Sequence, residues 1–330
     1  MRLLMFGMTE EEQKLAVGFL PAGKTFKIDF ADGVLDAAAM KQVAGYDAVS
    51  ILSNSQIGEK EAKQLQEAGV KYITTRSTGI DHIDRNALKQ YGLKAANVPS
   101  YSPNAISEHT ILLFLAALRN IKRSQHLTEL KDYGINGLRG REIRMMTVGV
   151  IGAGKIGTLT IRALNGFGAR VLVNAPHERE EVSKMAQYVS LDELLKQSDA
   201  ILLHCPLTDE NYHMINEDTI TKCKDHLILV NTARGGLIDG KAVLKALQSG
   251  KIQTFAMDVY ETENLFVRKS FHDEEFPDSI FQELCSREDV IYTSHIGFLT
   301  DQACKEMIKI TLENVEEYAN CGSCKNEIIK

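Results

Sequence analysis

Met146-Thr147-Val148-Gly149-Val150-Ile151-Gly152-Ala153-Gly154-Lys155-Ile156-Gly157 is the stretch that decides the fold. An apolar run of strand length leads straight into GxGxxG, and a helical run from Lys155 to Asn165 follows. A second apolar run, Arg170-Val171-Leu172-Val173, completes a strand–helix–strand unit. In such a unit the first glycine makes a tight turn. The second lets the backbone approach a pyrophosphate at the helix N-terminus, and the third lets helix and strand pack closely. The motif alone is weak evidence; in this context it predicts a dinucleotide site on Gly152, Gly154 and Gly157.

The acid that usually ends the second strand, about 20 residues on, binds the ribose 2′-hydroxyl. Here the strand ends Val173-Asn174-Ala175-Pro176-His177-Glu178-Arg179, and Ala175 holds the acid's place. Without that carboxylate nothing repels a 2′-phosphate, and Asn174, His177 and Arg179 are candidates to bind one. Alternatively Glu178 or the backbone serves the ribose of NAD. The cofactor is therefore NAD or NADP.

Outward from this unit, strand-like and helix-like segments alternate, as in α/β proteins with parallel sheets. Before it stand the strand candidates Leu3–Gly7, Ala48–Ile51 and Tyr72–Thr75, with helical stretches such as Glu59–Ala68 between them. This zone reads as a small doubly wound sheet that runs to about Val98. The two prolines of Asn97-Val98-Pro99-Ser100-Tyr101-Ser102-Pro103-Asn104 then interrupt regular structure. Ser102-Pro103 has the form of an N-cap with proline at the first helical position, which predicts a long helix to Arg123 or beyond. An amphipathic helix from Asp301 to Tyr318 closes the chain and is expected to pack back on the first zone. The 330 residues exceed one ordinary core. We therefore expect an α/β fold of two doubly wound, Rossmann-like domains. Residues 1–99 and 299–330 would form a discontinuous flavodoxin-like substrate domain, and 100–298 the dinucleotide-binding domain.

Hydrophobic residues make up 44% and charged residues 25%, an ordinary globular balance. The net charge of −6 argues against nucleic acid as a partner, so an anionic ligand must be held by local features. The N-terminal MRLLMFGMTEEEQK is too short in apolar length for a signal segment, and acids follow at once. No run approaches the roughly 18 apolar residues of a membrane span. We expect a cytoplasmic protein whose six cysteines are reduced thiols. Cys321-Gly-Ser-Cys324 is a CxxC without a second ligand pair; it reads as an incidental pair on a tail, and no metal site is expected.

In a doubly wound sheet, ligands bind beyond the carboxyl ends of the strands. Four later strand candidates end in polar groups. Ala200–Leu203 leads to His204-Cys205-Pro206, and Leu227–Val230 to Asn231-Thr232-Ala233-Arg234-Gly235-Gly236. Thr254–Met257 leads to Asp258-Val259-Tyr260-Glu261-Thr262-Glu263, and Val290–Thr293 to Ser294-His295. These ends should converge beside the nicotinamide. Arg234 is matched to the carboxylate of a 2-keto acid and can polarise the adjacent carbonyl. His295 is the natural proton donor to the oxygen that becomes an alkoxide. Glu263 would orient that ring and favour its protonated form. Each residue alone has a blander reading as surface charge or core; their joint placement favours chemistry.

On these residues the chain resembles the D-2-hydroxyacid dehydrogenase family, nearest its D-lactate dehydrogenase branch. The matching stretches are Thr78-Gly79-Ile80-Asp81-His82-Ile83-Asp84, Asn97 to Ile106, the glycine fingerprint, Asn231 to Gly236, Met257 to Glu261 and His295. The resemblance implies reduction of a 2-keto acid, with Arg234 binding substrate, Glu263 assisting and His295 as acid/base. It implies that Asp258 meets the nicotinamide carboxamide side, and that Lys155, Ile156, Cys205, Pro206, Asn211, Thr232 and Ala233 line the cofactor site. It assigns substrate carboxylate to the Thr78–Gly79 amides, with Tyr101 nearby. It also implies a homodimer joined through the nucleotide domains.

The chain departs from the family at Ala175, at Ser294 before the histidine, and at Gly297. Leu52 and Phe298 fall where D-lactate enzymes often carry tyrosines. Both are expected to shape the side-chain pocket, and Leu52 to admit branched or aromatic substrates. The alternatives that share the pattern are an NAD(H)-sensing scaffold of corepressor type and a phosphoglycerate or formate dehydrogenase.

Overall fold

The computed structural model describes residues 1–20, 26–267, 269–272 and 275–329. The chain divides into two compact units, Met1–Ser102 with Leu299–Lys330, and Pro103–Phe298. Each carries its own parallel sheet.

The first unit has strands β1 (Arg2–Phe6), β2 (Lys27–Ala31), β3 (Ala48–Ile51), β4 (Tyr72–Thr75) and β5 (Lys94–Ala96). They lie in the order β2-β1-β3-β4-β5, all parallel, which is the flavodoxin-like winding. Successive side chains of β1 go to opposite faces. Leu4 and Phe6 pack with Val49, Ile51 and Leu65. Leu3 and Met5 pack with Ile308, Leu312 and Val315 of the closing helix, Asp301–Cys321. That helix therefore does return to the first zone, where Tyr318 stacks on Tyr72 at 4.5 Å. Each fully buried leucine or isoleucine here contributes roughly 1.5–3 kcal/mol. Two strands of this unit, and the two-residue β8 (Gln187–Tyr188) of the second, are not marked by the sequence. β2 mixes Lys27 and Asp29 into a sheet-edge position, and β5 is only three residues long.

The second unit has β6 (Thr147–Ile151), β7 (Arg170–Asn174), β8 (Gln187–Tyr188), β9 (Ala200–Leu203), β10 (Leu227–Asn231), β11 (Ile252–Met257) and β12 (Val290–Tyr292). Their order is β12-β11-β10-β9-β6-β7-β8, again all parallel. The chain winds outward through β7 and β8, then crosses to β9 on the other side of β6. The order thus reverses between β6 and β9, which opens a crevice beyond their carboxyl ends.

The helix expected to run from Pro103 past Arg123 is instead two helices, Pro103–Leu118 and Ile121–Glu129. Asn120 between them takes a left-handed conformation (φ 50°), which asparagine tolerates better than most residues. Ile111, Phe114 and Leu118 of the first helix are buried with Val148 and Val230. Beyond Leu118 the apolar stripe stops, and the second helix buries no residue fully.

Among the described residues, no helix is long and apolar enough to cross a membrane, and no group of three metal-ligating side chains occurs. Among the described residues, no cysteine forms a disulfide.

Candidate active site

The fingerprint occupies the loop from β6 into the helix Lys155–Gly166. Gly152 has φ +99°, and a Cβ there would lie 2.6 Å from the Cys205 nitrogen. At Gly157 a Cβ would lie 2.0 Å from the Gly152 carbonyl oxygen. These two positions are closed by the protein's own backbone. Gly154 differs, because a Cβ there would meet no heavy atom within 4 Å. It also serves as the helix N-cap without a side chain to cap it. There is thus clear space beside Gly154, at the positive end of the dipole of the helix that begins with Lys155 and Ile156. That cradle fits a pyrophosphate.

Groups from neighbouring strands border the cradle. The His204 ring has no partner for its buried Nε2, and burial drops its pKa to about 4, so it stays neutral. Burial pushes the Cys205 thiol up to about 11. Asn211 shapes the loop after β9, accepting from the Thr208 amide at 2.8 Å and donating to the Pro206 carbonyl at 2.8 Å. At the end of β7, Asn174 donates to the Val189 carbonyl at 3.0 Å, so its amide serves the sheet. Ala175 is half-buried beside it, while His177 and Glu178 are exposed. Arg179 folds back toward the fingerprint and donates to Ala153 O and Thr158 Oγ1, both at 3.2 Å.

The polar groups after β10, β11 and β12 meet at one end of the sheet. Asn231 closes the turn that carries Arg234: its Oδ1 accepts from the Ala233 amide at 3.0 Å, and its Nδ2 donates to the Arg234 carbonyl at 2.9 Å. Thr232 is fixed by Thr110 at 2.7 Å. Glu263 accepts from the Tyr260 amide on Oε2 at 2.9 Å, and its Oε1 lies 2.7 Å from His295 Nδ1. A carboxylate can only accept, so Nδ1 carries a hydrogen and Nε2 is left as the exchanging nitrogen. Burial lowers the His295 pKa, but the Glu263 hydrogen bond and charge, joined by the Asp258 charge, outweigh burial and the opposing Arg234. The net pKa lies above the ordinary histidine value. Phe298 stands edge-on to the His295 ring, centroids 6.3 Å apart.

Asp258 is 3% exposed and fully engaged by its own chain. Oδ1 accepts from Thr293 Oγ1 at 2.6 Å and from the Ile296 amide at 2.9 Å; Oδ2 accepts from the Gly297 amide at 2.8 Å. Burial raises its pKa, yet these donors and His109 more than offset that, so the carboxyl lies below its ordinary range.

In the first unit, the Thr78 and Gly79 carbonyls are tied back by Asn97 Nδ2 (2.8 Å) and Ser77 Oγ (2.7 Å). Thr78 Oγ1 donates to the Val98 carbonyl at 3.0 Å. Ser77 is held by Thr75, which also meets His82 at 2.9 Å. Leu52 and Tyr101 are both half-buried. Asn231 and Thr293 stand at strand ends where the sequence assigns them no role, and it assigns none to His109. An asparagine three residues before the key arginine was a usable signal, because Asx side chains close such turns. The other two act through a contact between distant segments.

Comparison with known proteins identifies the family. The family model "D-isomer specific 2-hydroxyacid dehydrogenase, NAD binding domain" matches residues 111–297. An aromatic 2-oxoacid reductase of Clostridium sporogenes is 41% identical over 284 residues, 86% of each chain. The apo-structure of D-lactate dehydrogenase from Escherichia coli superposes over 100% of both chains, with a TM-score of 0.88 and 34% identity. A structure of D-2-hydroxyisocaproate dehydrogenase does so with a TM-score of 0.86 and 32% identity. The chain belongs to the D-isomer-specific 2-hydroxyacid dehydrogenase family, as a D-lactate-dehydrogenase-like, NAD-dependent oxidoreductase.

Proposed function

We propose that the protein reduces a 2-oxo acid with an aromatic or branched side chain to the D-2-hydroxy acid. The observation that carries this reading is the 2.7 Å contact between Glu263 and His295, which lifts the histidine above its ordinary pKa beside the Arg234 loop. Bound at the fingerprint, NADH supplies the hydride. Arg234 holds the substrate carboxylate and polarises the carbonyl. His295 Nε2 gives its proton to the carbonyl oxygen as the carbon is reduced, and Glu263 stabilises the ring in both states. Thr78, Gly79 and Tyr101 are assigned to substrate by the family resemblance. The C. sporogenes reductase supports an aromatic substrate, as does Leu52 where tyrosine is common.

The reading extends to cofactor and assembly. Ala175 removes the charge that would reject a 2′-phosphate, and Arg179 brings a guanidinium to the fingerprint loop, so NADPH is accepted beside NADH. Residues 1–99 and 299–330 serve as the substrate domain, and 100–298 as the nucleotide domain. The second unit exposes Leu130 (64%), Tyr133 (77%), Ile135 (83%) and Met145 (75%), an apolar set suited to a second copy of the chain. Cysteines outside any disulfide fit a reducing cytoplasm.

Steady-state kinetics with NADH and NADPH, each against pyruvate, 2-ketoisocaproate and phenylpyruvate, test the proposal. We expect kcat/KM for phenylpyruvate to exceed that for pyruvate by about tenfold or more, the scale on which apolar pockets discriminate. A preference for pyruvate would overturn the substrate assignment, and no reduction of any of the three would overturn the activity.

A further inference from the structure

His295 stands on a strained turn. Its φ is +53°, a left-handed conformation that costs a residue other than glycine roughly 1–2 kcal/mol. Such a conformation persists only where its surroundings over-determine it. Here the surroundings are Asp258. The His295 amide donates to the Asp258 carbonyl at 2.9 Å, and the next two amides, Ile296 and Gly297, donate to the Asp258 carboxylate. Asp258 therefore grips the turn at three successive residues.

What holds Asp258 comes from a distant helix. His109, on Pro103–Leu118 and 11% exposed, places Nε2 2.8 Å from Thr293 Oγ1 and 3.3 Å from Asp258 Oδ1. The directions of these bonds are fixed by chemistry. Asp258 lies below its ordinary pKa range and is ionised, so it can only accept, and Thr293 spends its single proton on Oδ1 at 2.6 Å. Thr293 Oγ1 must then accept from His109, which requires a hydrogen on His109 Nε2. Helix position is secured one residue on, where Thr110 bonds Thr232 at 2.7 Å. The titratable and charged groups around the turn are His109, Asp258, Glu263, Arg234 and Tyr292, drawn from four segments of the chain.

We infer that His109 is a positioning residue. Its Nε2–H, shared by Thr293 and Asp258, locks the left-handed turn that aims His295 at Glu263. His109 transfers no proton in the reaction. The inference rests on the proposed role of His295 as acid/base.

The test compares wild type, His109→Leu, His109→Gln, Thr293→Val and His295→Ala for kcat, KM, NADH binding by fluorescence, thermal melting and the pH profile with phenylpyruvate. Leucine removes the donor; glutamine restores an N–H at similar reach. We expect H109L to lose about tenfold or more in kcat, a fraction of a full general-acid contribution, with NADH affinity near wild type. Its reduction activity should also fail at lower pH than wild type, because His295 loses its hold on Glu263. H109Q should recover most of both losses, and T293V should resemble H109L. The inference is overturned if folded H109L keeps the wild-type kcat and pH profile, or if H109Q is as impaired as H109L. Should H109L not fold, a wild-type profile in T293V overturns it equally. Full turnover by H295A would remove the acid/base reading itself, a failure read from a different variant.

Discussion

Glu263 holds His295 with one carboxylate oxygen and the Tyr260 amide with the other, so the partner of the histidine is itself fixed from behind. In the proposed mechanism the pair sets the pH range of the reaction. Reduction needs a protonated His295, so it should be strong below the raised pKa and fail as pH rises through it; oxidation should show the reverse. In E263Q the charge is lost while the size is kept. The failure of reduction should then move to lower pH, because the Glu263 hydrogen bond and charge are what raise the ring's pKa. The kcat/KM profile checks this, and an unmoved profile would mean the carboxylate does not tune the ring.

The same pair links pH to stability. The folded pKa of His295 is raised, so its stabilising contribution is complete below the unfolded histidine value, about 6.5. It is lost as pH rises through the folded pKa. Wild type minus E263Q in denaturant midpoint should therefore be larger at pH 5.5 than at pH 9. Equal differences at both ends would contradict the pairing.

At the ribose end, the prediction concerns Ala175. Restoring a carboxylate with A175D should cut kcat/KM for NADPH by about tenfold or more, by repulsion of the 2′-phosphate, and leave NADH equal or better. An NADPH rate untouched by A175D would show that position 175 does not face the ribose.

The fingerprint glycines should separate folding from binding. In G157A the new methyl would collide with the Gly152 carbonyl, so the loop or helix must shift and Tm should fall. G154A meets no protein atom, so Tm should hold while NADH binding weakens by about tenfold or more, because the methyl enters the phosphate space. Thermal melts with fluorescence titrations distinguish the two. A destabilised G154A that still binds NADH normally would contradict the open cradle.

Much of this was legible in the chain because parallel strands buried on both faces read as continuous apolar runs. Ala48–Ile51, Tyr72–Thr75 and Ala200–Leu203 have the bounds that their residues predict. β2 and β5 carry no such run, since an edge strand and a three-residue strand need little apolar surface. The break at Asn120 was hidden because the residues after it are good helix formers; only loss of the buried stripe distinguishes them. At the site, Arg234, Glu263 and His295 could be chosen by chemical type at strand ends. The left-handed turn at His295, the grip of Asp258 on it and the reach of His109 depend on segments far apart in sequence, and no local pattern encodes them.

The central claim is that His295 delivers the proton during reduction of a 2-oxo acid. Turnover of phenylpyruvate with saturating NADH by His295→Ala, with cofactor binding confirmed by fluorescence, tests it most directly. The account predicts intact NADH binding and a fall in kcat of about 10²- to 10⁴-fold, the range of a general acid. A variant that binds NADH and reduces phenylpyruvate at the wild-type rate would contradict it.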